Sequence, residues 1–599
     1  MSAEISDSVL RPVLSSTLRV TGATARSGLA TWGQLHLLRH LRNAGDSANV
    51  LTFTVQVPLP EHCDVRGLQS VMCEVLRRYE SLRTTYVTKG GPVRQVVAGE
   101  GELAFDLYET HAGHVTTLAG ELAERLKELP FDIESEWPVR CAAVLTGGNP
   151  AVLVLAFNHM ALDHGGALIV TAEMSRQLSG GEPGALPRWQ PVDQADFEQS
   201  PAGVAICTRA LDHVRRILQP AVATTLDVPP GDFGPMRALV LRMRSPAAIR
   251  AAETCARRLR VSSSSVILAA AAVALGVCLD RTRVVFQLVA SNRVVEPQRS
   301  LVASVALDTA CLVDFTEMSF DQVVRNAFNA TVTAYIMGQC DPLAKDALLR
   351  EQEVMIGRRI GLDVKFNDSR TDRSVAPEPS AEVLQQLMRR TEVVEEAYEF
   401  SGGGVYMNVW GTGAASEIVL AGDISELPRK VQHEILSGME RLVVASAVQD
   451  IPARELNHVA GVVPLVRGPN WVRCPGGYVD LDATREVWRR VARTDVADVY
   501  AEPADLGYHR LVGYALAVDD RSLGDIRREF VSFLDARYEI KAPDWYVRCV
   551  NPPHSMKDRA GWEGLQVVDE GNGHDDGEDS KQPPVPASSL AATHAKDSG

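Results

Sequence analysis

The sequence predicts a mixed α/β (α+β) protein of several domains, and three observations predict it. Its 599 residues are about four times the size of a typical domain, so two to four domains are expected. Through about residue 450, apolar stripes at helical spacing alternate with short β-rich runs. Near Ile451 to Glu455 the chain changes character, and a shorter α+β unit follows. A content of 45% hydrophobic, 23% charged and 6% aromatic residues is that of a soluble globular chain, not a disordered, collagenous or membrane one. With 61 Lys+Arg against 76 Asp+Glu the net charge is -15, which argues against a general attraction to phosphate backbones or anionic lipid. Neither nucleic acid nor a membrane is expected as a partner.

Along the chain, Leu68, Val71, Met72, Val75 and Leu76 form the stripe of an amphipathic helix over residues 64–79. Thr84–Val87 and Val93–Ala98, separated by Gly90, Gly91 and Pro92, read as a hairpin. The run Ala151–Phe157, AVLVLAF, lacks alternation and reads as a strand covered on both faces. The loop Asn158–Gly166 leads from it into a helix expected from about Ala167 to Leu178, which Gly180 and Gly181 stop. Residues 179–189 read as a linker. Further on, a polar helix is expected at 246–259 and an apolar one at Val266–Leu279, the latter N-capped from the serine run Ser262–Ser265. At 14 residues that apolar stretch is too short for a bilayer, which needs roughly 20. A strand is expected at Arg283–Val289.

Beyond residue 455, the segments Gly476–Asp482, Thr484–Arg493 and Leu511–Val518 read as strand, helix and strand. A helix at 523–536 presents Leu523, Ile526, Phe530, Phe533 and Leu534 on one face. From Asp569 to Gly599 the chain is acidic, then rich in Pro, Ser and Ala, and it is expected to be disordered. The ten cysteines lie far apart without metal-site spacing, and the N-terminus lacks a signal-peptide pattern. A reducing cytoplasm is the expected location.

The most informative place is the loop after AVLVLAF. His159 and Asp163 form an HxxxD pair, a pattern expected about once by chance in a chain with 14 histidines. Its position gives it weight, because a strand-to-loop junction followed by Gly165 and Gly166 can present a catalytic side chain and leave room for substrate. The plain alternative is a satisfied histidine at a strand end.

These residues and their neighbours resemble the condensation domains of nonribosomal peptide synthetases, in the chloramphenicol-acetyltransferase-like superfamily, over about residues 28–450. Arg78, Glu80, Leu82, Arg83 and Thr84 match the family's RHExLRTxF, with Tyr79 for its His and Tyr86 for its Phe. Asn158, His159 and Asp163 stand in its HHxxxDG, with Asn for the first His and His164 for the Gly. Trp32, Gly33 and Gln34 look like its SxAQ motif. Ala195–Gln199, ADFEQ, resembles the interlobe YxDFAxW segment. Ala290–Arg293 and Leu301–Val313 resemble the ANR and GxFVNT region, with Asp308 and Thr309 for NT, and Gly361–Asp368 resembles the strand before a late Asn motif. More weakly, residues 460–565 resemble the small C-terminal subdomain of adenylate-forming enzymes. Gly476–Asp482 stands for its GxRVELGEIE, and Asn551–Arg559 for its PxTxNGKxDR, which makes Lys557 either an adenylation-lysine equivalent or a solvated loop lysine.

The resemblance implies two chloramphenicol-acetyltransferase-like lobes in a V-shaped pseudo-dimer. The expected divisions are an N-terminal extension (1–27), two lobes (28–190 and 191–455), the adenylation-like unit (456–568) and a disordered acidic tail (569–599). It also implies amide or ester formation by attack of an acceptor amine or hydroxyl on a carrier-protein thioester, in antibiotic-type secondary metabolism. His159 would orient the acceptor and take its proton. Asp163 would pair with Arg293 to fix the loop, with Asn158, His164 and Gly165 supporting the site. His164 is alternatively a second catalytic histidine, and in place of the family Gly it adds bulk near His159. No metal and no bound cofactor are implied; the phosphopantetheine thioester arrives as substrate on a partner carrier protein. The chain is expected to act as a free-standing enzyme, with its 456–568 unit a vestige or a docking platform whose loss spares the lobes. Two alternatives are an acyltransferase using acyl-CoA and a catalytically degenerate scaffold.

Overall fold

The computed structural model describes residues 11–44, 51–218, 238–370, 379–398, 404–411, 415–424, 427–534 and 537–574. They form two compact units, one of residues 1–214, 288–309 and 332–346, the other of 215–287, 310–331 and 347–599. These are not the consecutive segments 28–190 and 191–455, because two stretches from the middle of the chain return to the first unit.

The first unit is built on β1 (Leu14–Val20), β2 (Arg26–Leu29), α1 (Trp32–Ala44), β3 (Thr52–Pro58), α2 (Val65–Arg78), β4 (Thr84–Val87), β5 (Arg94–Val97) and β6 (Gly101–Glu109). It continues with α3 (Val115–Glu128), β7 (Val139–Thr146), β8 (Asn149–Asn158), α4 (His164–Leu178), α5 (Pro191–Gln199) and α6 (Pro201–Ile217). A five-stranded sheet runs β1-β6-β7-β8-β3. Leu153, Leu155 and Phe157 of β8 pack into one core with Leu68, Met72, Val75 and Leu76 of α2 and Ala167, Val170 and Met174 of α4. On the other face, Val154 meets Ala119, Leu122 and Ala123 of α3. Helices on both faces are the reason AVLVLAF carries no alternation. The hairpin is β4–β5, with β2 added along β5.

One expectation is corrected at the N-terminus. Residues 1–27 are not simply an extension, since β1 pairs antiparallel with β6 from Leu14↔Leu107 to Val20↔Gly101, burying Leu18 and Val20. The first ten residues lie outside the described ones.

The second unit contains β9 (Ala238–Arg244), α7 (Pro246–Leu259), α8 (Ser263–Leu279), β10 (Arg283–Ala290), β11 (Leu307–Asp314), α9 (Phe320–Ile336), α10 (Pro342–Ile356), β12 (Val364–Asp368) and α11 (Ala381–Met388), several of which cross between units. Next come β13 (Glu392–Tyr398), β14 (Val405–Trp410), β15 (Glu417–Asp423), α12 (Arg429–Val448) and α13 (Leu456–Ala460). Its seven-stranded sheet runs β11-β10-β12-β14-β15-β9-β13. The Ser262 side chain caps α8 by accepting from the Ser265 amide, and α8 is buried on every side, as a helix apolar all round must be. The helix expected to be polar, α7, is amphipathic, with Ala247, Ile249, Ala252 and Cys255 inside. Among the described residues no single helix is long and apolar enough to cross a membrane.

The segment after residue 460 adds β16 (Trp471–Cys474), β17 (Gly477–Asp480), α14 (Leu481–Ala492), β18 (Ala497–Pro503), β19 (His509–Leu516), α15 (Leu523–Val531), β20 (Trp545–Cys549) and β21 (Val567–Gly571). A four-stranded sheet β18-β19-β20-β21 closes a core around Trp488, Phe530 and Tyr546. The boundary drawn at residue 569 is therefore corrected. Asp569 lies in β21, where its carboxylate grips the buried Arg548 guanidinium; the strand VVDEG has no apolar alternation. The remainder of the expected disordered tail, from residue 575, lies outside the described residues.

This segment is hydrogen-bonded to earlier parts of the second unit. The fully buried Arg358, just after α10, donates to the carbonyls of Tyr478 (2.8 Å) and Tyr538 (3.2 Å). In return, Arg527 of α15 donates to Val354 (3.1 Å) and Met355 (3.0 Å) carbonyls. The Ala542 amide donates to Gly357 (2.7 Å), and that of Leu465 to Cys278 (2.9 Å). Removing this segment would leave a buried guanidinium without these partners. We therefore expect a chain ending at residue 455 to melt several degrees below the full chain, and Arg358→Ala to cost about 2 kcal/mol or more. Calorimetry checks both, and an unchanged Tm for the shortened chain would show that the docking adds nothing.

Candidate functional site

β8 ends at Asn158, whose buried side chain accepts from the Met160 amide (2.9 Å) while its own amide donates to the Pro138 carbonyl (3.0 Å). That turn starts the loop that presents His159. The His159 amide donates to the Leu51 carbonyl (2.7 Å), and its ring packs 5.3 Å from the Phe53 ring. The imidazole is half-buried, with Nδ1 inside and without a hydrogen-bond partner among the described residues. Burial pulls its pKa below the ordinary histidine value; Asp163 opposes this and His164 adds to it.

Asp163 is the anchor. Oδ1 accepts from the Gly166 amide (2.8 Å), which caps α4, and from Arg293 Nη2 (2.7 Å) and Nε (3.2 Å). Oδ2 accepts from the amides of Val305 (3.1 Å) and Ala306 (3.2 Å). Arg293 also donates to the carbonyls of Ala303 (2.8 Å), Gln298 (3.2 Å) and Leu301. The Asp163–Arg293 pair expected from sequence is thus present, buried, and tied to the 298–306 segment. With both oxygens occupied, Asp163 positions the loop and has no free lone pair for the reacting atoms.

His164 stands at the first helical position of α4 and is exposed. It is near enough to His159 to act on its pKa. The steric demand falls one residue later, where a Cβ on Gly165 would lie 2.6 Å from Arg293 Nε and 2.8 Å from its Cδ.

One relay from the other resembling motifs reaches the same loop. Gln34 of α1 is fully buried and donates to the Tyr86 hydroxyl (3.2 Å), which donates to the Met160 carbonyl (2.9 Å) inside the HxxxD loop. Gly33 permits close approach, since a Cβ there would sit 2.1 Å from the Ser304 carbonyl oxygen. Glu198 of the ADFEQ segment accepts from the Trp32 amide (2.7 Å) at the start of α1 and from Gln194 (2.9 Å). Burial pushes its pKa up to about 8. Arg83 is fully buried and donates to the Leu76 (2.6 Å) and Ala98 carbonyls, so the LRT motif is a structural clasp. Nothing in the sequence spacing of Gln34, Tyr86 and Glu198 announces these contacts.

Three ligand-type side chains, His36 and His40 of α1 with Asp308, bring one donor atom each within 4.8 Å of one another. Lys345 Nζ donates to the Asp308 carbonyl (2.9 Å), and Arg39 lies 3.5 Å from His36 Nδ1. Arg39 is itself ion-paired with Asp346, and His36 Nε2 lies 3.6 Å from Asp308 Oδ2. Lys557 is exposed, and its backbone amide donates to Ser555 Oγ (3.1 Å).

In fold, the chain is similar to solved condensation domains. The condensation domain of the Monacolin K polyketide synthase MokA superposes with a TM-score of 0.55 at 14% identity, covering 72% of this chain and 99% of that one. A structure described as the basis of condensation-domain-mediated chain release from the enacyloxin polyketide synthase gives 0.53 at 16%, covering 67% and 79%. In sequence, the isonitrile lipopeptide synthase of Mycobacterium tuberculosis is 28% identical over 147 residues, 24% of this chain and 6% of that protein. The chain thus matches only a small part of that relative's length. No protein-family model matches the chain. The condensation-domain fold is therefore shown.

Two outcomes are expected from this geometry. Asp163→Ala and Arg293→Ala should each lose about 3 to 5 kcal/mol, because each strands a buried charge; Gly165→Ala should follow them, whereas His164→Ala should melt like wild type. Denaturant unfolding separates these cases, and equal effects at 164 and 165 would refute the steric assignment. For Glu198 the folded-state pKa of about 8 exceeds the ordinary value of 4.5, so the folded form holds the extra proton between them. Its contribution is present in full below about pH 4.5 and is lost as pH rises towards 8. Glu198→Gln should therefore flatten the fall in Tm over that window by several degrees, and identical profiles would refute it.

Proposed function

We propose that the protein is a condensation-type acyltransferase in which His159 receives the proton of the acceptor. The observation that carries this reading is the half-buried imidazole at the end of β8, held neutral by burial on a loop whose aspartate is wholly engaged in anchoring. An acceptor amine or hydroxyl attacks the carbonyl carbon of an acyl thioester, and His159 takes its proton; the C–S bond then breaks and the departing thiolate takes that proton from the imidazolium. Because Nδ1 is the buried nitrogen, Nε2 is the atom that serves the acceptor. Asn158, Asp163, Arg293, Gln34 and Tyr86 hold the loop and do not touch the reacting atoms. Direct transfer needs no nucleophilic side chain and no metal.

The donor proposed is a phosphopantetheine thioester on a carrier protein, with an amide as the product and an ester as the alternative. The fold and the similarity to the isonitrile lipopeptide synthase support it. Mass spectrometry of a loaded carrier incubated with the protein and candidate acceptors tests it, and transfer from acyl-CoA alone would favour a diffusible donor. A product rate unchanged in His159→Ala would favour a non-catalytic scaffold.

His159→Ala is expected to lower turnover by roughly 10²-fold or more while leaving the fold intact. The active form is the neutral imidazole, and its pKa lies below the ordinary 6.5. The acid limb of kcat/KM should consequently fall below pH 6.5, and a limb above that value would contradict the burial argument.

A further inference from the structure

The first unit holds a second pair of reactive groups, away from the residues that anchor the HxxxD loop. Cys207 on α6 and Cys340, two residues before α10, are 133 positions apart, yet their sulfurs lie 3.7 Å from each other. Both are buried, packed with Trp32, Ala210 and Leu307. The two sulfurs are not equivalent. Cys207 Sγ receives the Asp341 amide (3.2 Å), whereas the Cys340 thiol can donate to the Asp341 carbonyl (3.5 Å), and the hydrogen bond between the two sulfurs holds the Cys207 pKa below the ordinary thiol range. That same hydrogen bond pushes Cys340 upwards. The sulfur that receives the Asp341 amide is the one placed to act as the nucleophilic thiolate, with its neighbour as the resolving thiol.

We propose that Cys207 and Cys340 form an oxidisable dithiol that hydrogen peroxide converts to a disulfide tying α6 to the segment before α10. The Cys207 thiolate attacks one peroxide oxygen, the O–O bond breaks, and a sulfenic acid forms as hydroxide leaves and is protonated to water. The Cys340 sulfur then attacks the Cys207 sulfur; the S–S bond forms, the S–O bond breaks, and the departing hydroxide takes the Cys340 proton. Two thiols and one peroxide give one disulfide and two waters, with two electrons passing from sulfur to oxygen. A disulfide S–S bond is ~2.05 Å, so the sulfurs close by about 1.7 Å from their present 3.7 Å contact. Burial under Trp32 and Leu307 favours a two-oxygen oxidant over a bulky disulfide such as oxidised glutathione.

The tie has a defined structural consequence. Residues 332–346 return to the first unit after a long excursion, held there in part by Thr309 Oγ1 donating to Ala334 (3.1 Å) and Asn292 Nδ2 to Gly338 (3.4 Å). A covalent bond at Cys340 fixes that return permanently and restricts the unfolded chain. The proposal rests on the thiol geometry and is independent of the acyl-transfer reading.

The test uses the full, reduced chain, exposed to a small excess of hydrogen peroxide, blocked with N-ethylmaleimide and digested without reductant. Mass spectrometry should find a peptide pair joined through Cys207 and Cys340, and Tm should rise by about 2–5 °C, both reversed by dithiothreitol. In Cys207→Ser and Cys340→Ser, each melting like the reduced wild type, the joined pair and the rise should be absent. Recovery of wild-type Cys207 blocked by maleimide, or oxidised beyond sulfenic acid without linkage, would overturn the proposal. Linkage by oxidised glutathione as fast as by peroxide would overturn the assignment of the oxidant.

Discussion

A carboxylate with five donors on it holds the candidate site together. Asp163 caps α4, binds Arg293 twice and takes two further amides from the segment that follows Ser304. A buried carboxylate in this state is stable only with every partner present. The 298–306 segment, α4 and the HxxxD loop therefore form one object. His159 inherits its position from that object, while its protonation state comes from a different source, the apolar packing around its ring.

A second restraint acts on the same loop from the opposite side. Gln34, Tyr86 and the Met160 carbonyl form a buried relay from α1, and Glu198 secures the start of that helix. Residues far apart in the chain thus share one mechanical task. This gives a physical reason for motifs scattered along the sequence to occur together, although only one of them carries a group suited to proton transfer.

Much of this was legible in the sequence where the signal is local. The stripe of α2 and the unbroken apolar run of β8 each report the burial of one element, and the serine before α8 reports its cap. The pairing of Asp163 with Arg293 came through resemblance, since nothing in their spacing announces it. What was not legible depends on long-range company. β1 looked like an extension because its partner β6 lies about 90 residues away. Residues 288–309 and 332–346 cross between units without any break in composition. β21 hid in an acidic stretch because its charge is answered by Arg548, which no window around Asp569 contains. The relay through Gln34 and Tyr86 is likewise a tertiary fact.

The clearance at Gly165 bears on how such sequences are compared. Position 164, where the resembling motif has glycine, faces solvent here, whereas position 165 lies under the guanidinium. A substitution at the former is a poor guide to whether a chain of this kind has kept its chemistry. A side chain at the latter would be diagnostic, because it could be accommodated only by a chain that had already given up the arginine clasp.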